Sequence, residues 1–467
     1  MTEDKPIEDR RPNSLAARDI AYHVHAQTNL DAHLSQGPFT IVRGEGVRVF
    51  DDEGRRYLDA LAGLWSASLG FSEKRLADAA YKQLCELPFT STFAHRAHPA
   101  IIELAEALVS LAPAPLARAL FANSGSEAVD TAVKLVWYYW NAHDRPEKKK
   151  IIARRNAYHG STIVAASLTG LERMQREFDL PVDGIVRAPC PHYWKYAEDG
   201  ESEESFAARM ADEVEALVLT EGAETIGAFF AEPIQGAGGV ILPPQGYFDR
   251  IQALCKKYDI LFIADEVICG FGRTGRMWGS EVYDLKPDMM TCAKALSASY
   301  LPISALLVSE NVFEALRVQS EKIGQFGHGF TYSGHPVCAA VALETLKIYQ
   351  ERDIIASANA VAPALQTGLR ALEEHPLVGE VRGRGLLAGV ELVEDKAGKK
   401  FFDLAVSAGA LVQEEAKRRG LLIRALGDTL AFCPPLIISE TEIAEILEGF
   451  AAALDAAHKK LRGTQKN

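Results

Sequence analysis

The chain has 467 residues, 48% hydrophobic and 24% charged, an ordinary globular composition with enough length for two or three structural units around a large core. A net charge of −13 disfavours nonspecific nucleic-acid binding and attraction to a membrane surface, and no apolar stretch reaches the ~18 residues that a membrane helix requires. The seven Cys are odd in number and form no CxxC pair, so they read as reduced and mostly buried, as in a cytoplasmic protein; the opening Met-Thr-Glu-Asp-Lys-Pro lacks the apolar region of a signal peptide.

The first ~35 residues are polar and weakly periodic, and read as an arm that frays or wraps a partner. His23, His25 and His33 lie within it, but no Cys or carboxylate cluster completes a ligand set, so no metal is expected. Val47 to Phe50 and Tyr57 to Leu61 flank the turn residues Asp52-Glu53-Gly54 and predict a β-hairpin. Helical spacing follows over Ile101 to Ser110, then a short strand over Ala119 to Ala122 and a long apolar-faced helix over Ser126 to His143. Lys148-Lys149-Lys150 reads as a solvated lead-in to the buried strand Ile151 to Ala153. The acidic run from Glu198 to Glu204 reads as a surface insertion. Ile226 to Ala231, Ile260 to Ala264 and Met289 to Cys292 are further buried strands, with helical text such as Tyr247 to Tyr258 between some of them. Strands alternating with helices predict a mainly parallel sheet covered on both faces, with ligands at the strands' carboxyl ends. Beyond about residue 345 the text predicts a smaller α+β unit: strands Gly385 to Leu392 and Leu421 to Arg424, then a capping box from Ser439 opening a helix to Leu461.

The polar motifs follow the predicted strand ends. Asn123-Ser124-Gly125-Ser126 turns from a strand into a helix, where free backbone N–H groups and hydroxyls make a phosphate cradle; the plainer reading is an N-cap. Tyr158-His159-Gly160 offers an aromatic that could stack on a flat ring, and Glu232-Pro233 offers a carboxylate. In Asp265-Glu266-Val267, strand alternation places Asp265 and Val267 on one face. Gly270-Phe271-Gly272-Arg273-Thr274-Gly275 matches a dinucleotide fingerprint only loosely, with no strand leading in and no helix opening after it, and that reading is rejected. Lys294 ends an apolar run twenty-nine residues after Asp265. A lysine amine that condenses with the cofactor aldehyde, and an aspartate that pairs with the protonated pyridine nitrogen, are what pyridoxal phosphate chemistry needs. Thr331, in His328-Gly329-Phe330-Thr331-Tyr332-Ser333-Gly334-His335-Pro336, could donate to a phosphate in its own or a neighbouring subunit.

Together these motifs, with Glu-Pro-Ile-Gln-Gly-Ala-Gly-Gly at 232–239 and Thr-Tyr-Ser-Gly-His-Pro at 331–336, resemble the class III aminotransferases, the fold-type-I pyridoxal phosphate enzymes of the ω-transaminase kind. The resemblance runs from about residue 20 to the C-terminus. Trp65, Phe93 and Arg424 resemble the amine:pyruvate branch, in which the two aromatics line the substrate pocket, Phe93 across the dimer, and a mobile arginine receives a carboxylate.

The resemblance implies an α/β fold with a mainly parallel seven-stranded sheet, plus a smaller α+β domain. The expected boundaries are 1–75 for the arm and part of the small domain, 76–345 for the cofactor-binding domain and 346–467 for the remaining small domain. It implies a homodimer, or a dimer of dimers, acting on a small-molecule amine donor and a keto acid acceptor, without nucleic acid or membrane. Lys294 and Asp265 are the expected catalytic residues. Ser124, Gly125, Ser126, Tyr158, His159, Glu232, Asp265, Val267, Lys294 and Thr331 are expected at pyridoxal 5′-phosphate, and Trp65, Phe93, Tyr158 and Arg424 at substrate. The implied reaction moves an amino group from an amine or ω-amino acid to a keto acid, expected to be pyruvate, in a ping-pong cycle through pyridoxamine phosphate. Alternatives on this frame are a 2-oxoglutarate-dependent ω-amino acid transaminase, an aminomutase and a decarboxylating transaminase. A noncatalytic regulator is disfavoured, since no helix-turn-helix text precedes residue 35.

Overall fold

A computed structural model describes residues 13–403 and 405–464. The part of the predicted arm before residue 13 lies outside the described residues. The rest of the arm is more ordered than its polarity suggests. It forms two short helices, Leu15–Tyr22 and Leu30–Gln36, whose first turns are closed by the side chains of Ser14 and Asn29.

The predicted hairpin is present within a small sheet of β1 (Ile41–Glu45), β2 (Arg48–Asp51) and β3 (Arg56–Asp59). Asp51 fixes the turn: its carboxylate accepts from the amides of Glu53 and Arg55 and from the Tyr57 hydroxyl, at 2.8–3.0 Å.

The large sheet comprises β4 (Leu116–Ala122), β5 (Lys150–Arg154), β6 (Ile185–Ala188), β7 (Ile226–Ala231), β8 (Leu261–Asp265), β9 (Met289–Cys292) and β10 (Ser304–Ser309), in the order β4-β10-β9-β8-β7-β5-β6. Only β10 runs antiparallel, to both β9 and β4, so β4 points the same way as the five parallel strands. Alternate residues bury in opposite directions. Ala228, Phe230, Leu261 and Ile263 join a core under helix Gly125–Ala142. Phe229, Phe262 and Ala264 join the other core, with Phe206, Met210, Tyr247 and Ile251 from helices Glu203–Glu221 and Tyr247–Lys257. Burial on both faces is why these strands read as unbroken apolar runs.

In the last third, β11 (Val378–Arg384), β12 (Leu387–Leu392), β14 (Arg424–Leu426) and β15 (Thr429–Phe432) make a third sheet, and β13 (Leu421–Leu422) pairs in parallel with β3. The single strand predicted over Leu421 to Arg424 is therefore two strands serving two sheets, a division that periodicity over four residues cannot reveal. Ser439 and Glu442 form the predicted capping box, and the final helix runs Glu440–Thr464. The glycine-rich segment at 270–275 is a tie between units: buried Arg273 donates to the carbonyls of Leu386 and Pro434 at 3.1 and 2.6 Å.

Two further readings are corrected. Lys148 is wholly buried, with its stem and ammonium over the Trp140 ring (4.4 Å) and Nζ donating to the Tyr258 carbonyl, and burial brings its pKa down to about 8. Lys149 and Lys150 are likewise tied, to Asn141 and Glu221, so the basic run anchors a strand instead of solvating it. The acidic run is a helix start: Ser202 caps Glu203–Glu221, Glu203 and Glu204 occupy its first turn, and Glu201 pairs with Arg209 at 2.7 Å.

Ile263 is fully buried in the middle of the sheet. Ile263→Ala should lower the free energy of unfolding by about 2–5 kcal/mol, read from urea unfolding, through lost transfer energy and the cavity left behind.

Candidate active site

The shared direction of β4, β5, β7, β8 and β9 sets their carboxyl ends along one edge, and the polar motifs follow those ends. A cavity of about 850 Å³ opens there. Its wall includes Trp65, Ser124, Gly125, Ser126, Tyr158, His159, Glu232, Asp265, Val267, Lys294 and Arg424. The fold thus gathers residues from positions 65 to 424 into one space.

Asp265 is the last residue of β8 and is almost fully buried. Its carboxylate is oriented from three sides: Oδ2 bonds the His159 ring at Nδ1 (2.7 Å), and Oδ1 accepts from Thr291 Oγ1 and the Val267 amide (both 3.1 Å). The last contact corrects the alternation argument for Asp265 and Val267. The strand stops at Asp265, and Val267 returns to the cavity through a turn closed by the Asp265 side chain. Between them, Glu266 is not part of the cavity wall. It accepts from the Gly279 and Ser280 amides and the Ser280 hydroxyl, and burial pushes its carboxyl up to about 7.

Lys294 follows β9 with a left-handed backbone (φ 49°), a conformation that costs a non-glycine residue about 1–3 kcal/mol and that marks functional sites. Among the described residues its amine has no hydrogen-bond or ion-pair partner. Burial holds that amine below the ordinary lysine range, with Asp265 and Glu232 pulling the other way. A lowered pKa leaves more of the amine unprotonated and nucleophilic.

Ser124 is an N-cap after all: its Oγ accepts from the Glu127 amide, while the Glu127 carboxylate takes the amides of Asn123 and Ser124. This leaves the next amides, Gly125 and Ser126, as the free donors of an eighteen-residue helix N-terminus, without a partner among the described residues. A Cβ on Gly125 would come within 3.2 Å of both Val267 methyls, so glycine is needed where the cradle is tightest. Ser126 Oγ accepts from the Ser161 amide at 3.0 Å.

Glu232 is buried, and burial raises its pKa. Its two oxygens accept the amides of Tyr158 and Gly236 at 3.0 and 2.8 Å, so its evident work is to set the backbone that carries Tyr158. Trp65 is buried on a left-handed turn (φ 63°). Arg424 opens β14, half-buried and without an ion-pair partner among the described residues, which excludes an ordinary surface pair. Burial lowers its pKa, and the nearby Arg173 guanidinium adds to the effect.

Phe93 and Thr331 are not in this cavity. Phe93 lines a separate groove with residues 324–330, packed where a Gly329 Cβ would lie, and Thr331 is an exposed continuation of that wall. Sequence reasoning missed Arg173, Met174 and Gln27, which line the cavity. They come from polar text without a motif, and only the fold brings them in.

The carboxylate at one side, the unpartnered amine, the open helix N-terminus and the flanking Tyr158 and Val267 fit pyridoxal phosphate at each of its chemical groups. Fold and site together define a fold-type-I pyridoxal phosphate enzyme. The model of the family "Aminotransferase class-III" matches residues 31–454. The chain is 50% identical to gamma aminobutyrate transaminase 1, mitochondrial, of Solanum lycopersicum over 91% of this chain and 82% of that protein. It is 52% identical to gamma aminobutyrate transaminase 3, chloroplastic, of the same plant, over 89% and 80%. Among solved structures, the ω-transaminase of Pseudomonas jessenii in complex with PMP superposes with a TM-score of 0.94 at 52% identity, covering 96% of this chain and 98% of that one. A transaminase solved with L-alanine gives 0.89 at 53% identity, over 90% and 100%. The chain belongs to the class III aminotransferases, and its cofactor is pyridoxal phosphate.

Borohydride reduction of the holoenzyme followed by peptide mapping should place the pyridoxyl group on Lys294. A label on any other lysine would remove Lys294 from the centre of the site.

Proposed function

We propose that this aminotransferase takes an amino group from an amine or ω-amino acid and gives it to pyruvate. The observation that carries the reading is Arg424, a guanidinium without an ion-pair partner among the described residues, on the wall of a cavity that also holds apolar Trp65. A donor amine without an α-carboxylate and an acceptor with one must share this space. An arginine that meets the acceptor carboxylate and withdraws from the donor reconciles them. Relatives named for gamma aminobutyrate, and a neighbour solved with L-alanine, the amination product of pyruvate, support the same reading.

Bound pyridoxal phosphate supplies an electron-poor ring that accepts the electron pair released at the donor carbon. The residues of this chain do the rest. Asp265, braced by His159 and Thr291, would hold the positive charge at the ring nitrogen. Gly125 and Ser126 amides would receive the phosphate. Tyr158 and Val267 would bound the ring's faces. Lys294 Nζ would take the proton from the carbon bearing the donor's amino group and hold it for return, a role suited to a buried amine with a lowered pKa. Trp65 excludes water and sets the apolar wall, and Arg173 at the rim offers a second cation to the distal carboxylate of an ω-amino acid.

Arg424→Ala should slow the half-reaction with pyruvate by roughly ten- to a hundredfold, the worth of about 1.5–3 kcal/mol for a charge-assisted contact. The half-reaction with a simple amine should be nearly unchanged. Stopped-flow spectra of the two halves read both rates, and equal loss in both would make Arg424 structural and remove the main support for pyruvate.

The reading includes a homodimer. Phe93 and Tyr332 are large, exposed apolar side chains beside the groove at 324–330, a surface suited to a second copy whose cavity they would complete. Mixing Lys294→Ala with Thr331→Ala subunits should restore activity, since each heterodimer would hold one doubly altered and one intact site. Verified exchange without recovery would place Thr331 outside the partner's site.

A further inference from the structure

The strongest feature outside the catalytic cavity lies on the arm. Asp19, on helix Leu15–Tyr22, is surrounded by three imidazoles. Its Oδ1 meets His23 Nδ1 at 3.1 Å; its Oδ2 meets His25 Nε2 at 2.8 Å and His33 Nε2 at 3.0 Å. The donor atoms of Asp19, His23 and His25 all lie within 4.8 Å of one another. The rings stand centroid to centroid at 4.2 Å (His23 to His25) and 4.1 Å (His25 to His33). From sequence no metal is expected here, because no Cys or carboxylate cluster accompanies the three histidines. Asp19 supplies the carboxylate: it lies one helical turn before His23, and the turn at residues 23–29 brings the second helix, with His33, back against it.

We propose that Asp19, His23, His25 and His33 form a divalent transition-metal site that closes the arm on itself and so fixes the loop whose Ala26 and Gln27 line the catalytic cavity. One nitrogen from each of the three imidazoles converges on the two oxygens of a single carboxylate. Three imidazoles and one carboxylate suit zinc, or cobalt and nickel as its substitutes; calcium and magnesium prefer sets made of oxygen. The ligand atoms of Asp19, His23 and His25 are already gathered, and His33, whose Nε2 touches the Asp19 carboxylate, closes onto an ion from outside that group of three, at bonds of about 2.0–2.1 Å. The consequence follows from chain order. Ala26 and Gln27 come directly after His25 and line the cavity, and Gln27 Nε2 lies 3.2 Å from the sulfur of Met174, another wall residue. A metal holding His23 and His25 to His33 closes the loop that presents these two residues.

The test uses full-length holoenzyme freed of metal by a chelator. Zinc titrated by calorimetry should bind at one site per chain. His25→Ala with His33→Ala should weaken that binding by more than the roughly ten- to hundredfold that an outer-shell partner is worth. Exposed Arg18 provides the second reading: zinc should slow tryptic cleavage after Arg18 in the wild type and leave the double variant unprotected. Equal zinc binding by wild type and variant would overturn the site. Loss of binding in the variant without any zinc protection of Arg18 in the wild type would overturn the fixing of the arm. Retained transaminase activity in the variant shows that it folds, and a variant that fails to fold is replaced by Asp19→Asn, for which the same outcomes apply.

Discussion

The structure turns on one buried carboxylate. Placing Asp265 out of water at the end of β8 would be costly unless both its oxygens were hydrogen-bonded. The fold meets this with the His159 ring, the Thr291 hydroxyl and the Val267 amide, drawn from three separate segments. Those partners fix where β5, β8 and β9 must end relative to one another. Once they are fixed, Lys294 and Tyr158 have little freedom left, because each follows one of the same strand ends.

Around that centre, polar residues divide into those that face the cavity and those that hold the backbone. Glu232 belongs mainly to the second kind, since both its oxygens are occupied by amides. Glu266 does the same on the other side of the strand end. Buried polar groups of this sort add little net stability, yet leaving any of them unpaired would be expensive, so they specify geometry. Lys148 plays a comparable part at the opposite end of the sheet, where its ammonium sits over Trp140.

Early and late segments of the chain also meet. β13 pairs with β3, and Arg424 begins the next strand only two residues after β13 ends. The position of the arginine that faces the cavity is therefore set by a register between segments more than 360 residues apart in sequence. The arm contributes from another direction, with Gln27 reaching Met174. The site is assembled from the start, middle and end of the sequence.

Much of this was legible in the sequence. The apolar runs that became β5, β7, β8 and β9, the turn into helix Gly125–Ala142, and the pair Asp265 and Lys294 carry local signals: two-sided burial, small residues at a helix start, polar residues at strand ends. Their joint order identified the family. What local text could not hold was whatever depends on folding distance. Leu421 to Arg424 divides between two sheets, and in the basic run Lys148 is buried against Trp140 while Lys150 is held by Glu221. Val267 reaches the cavity through a turn and not along a strand. Arg173 and Met174 enter the site, and Asp19 reaches His25 and His33, through contacts that no spacing rule encodes. Periodicity reports how a segment is solvated, whereas partnership across the chain is decided only when the segments meet.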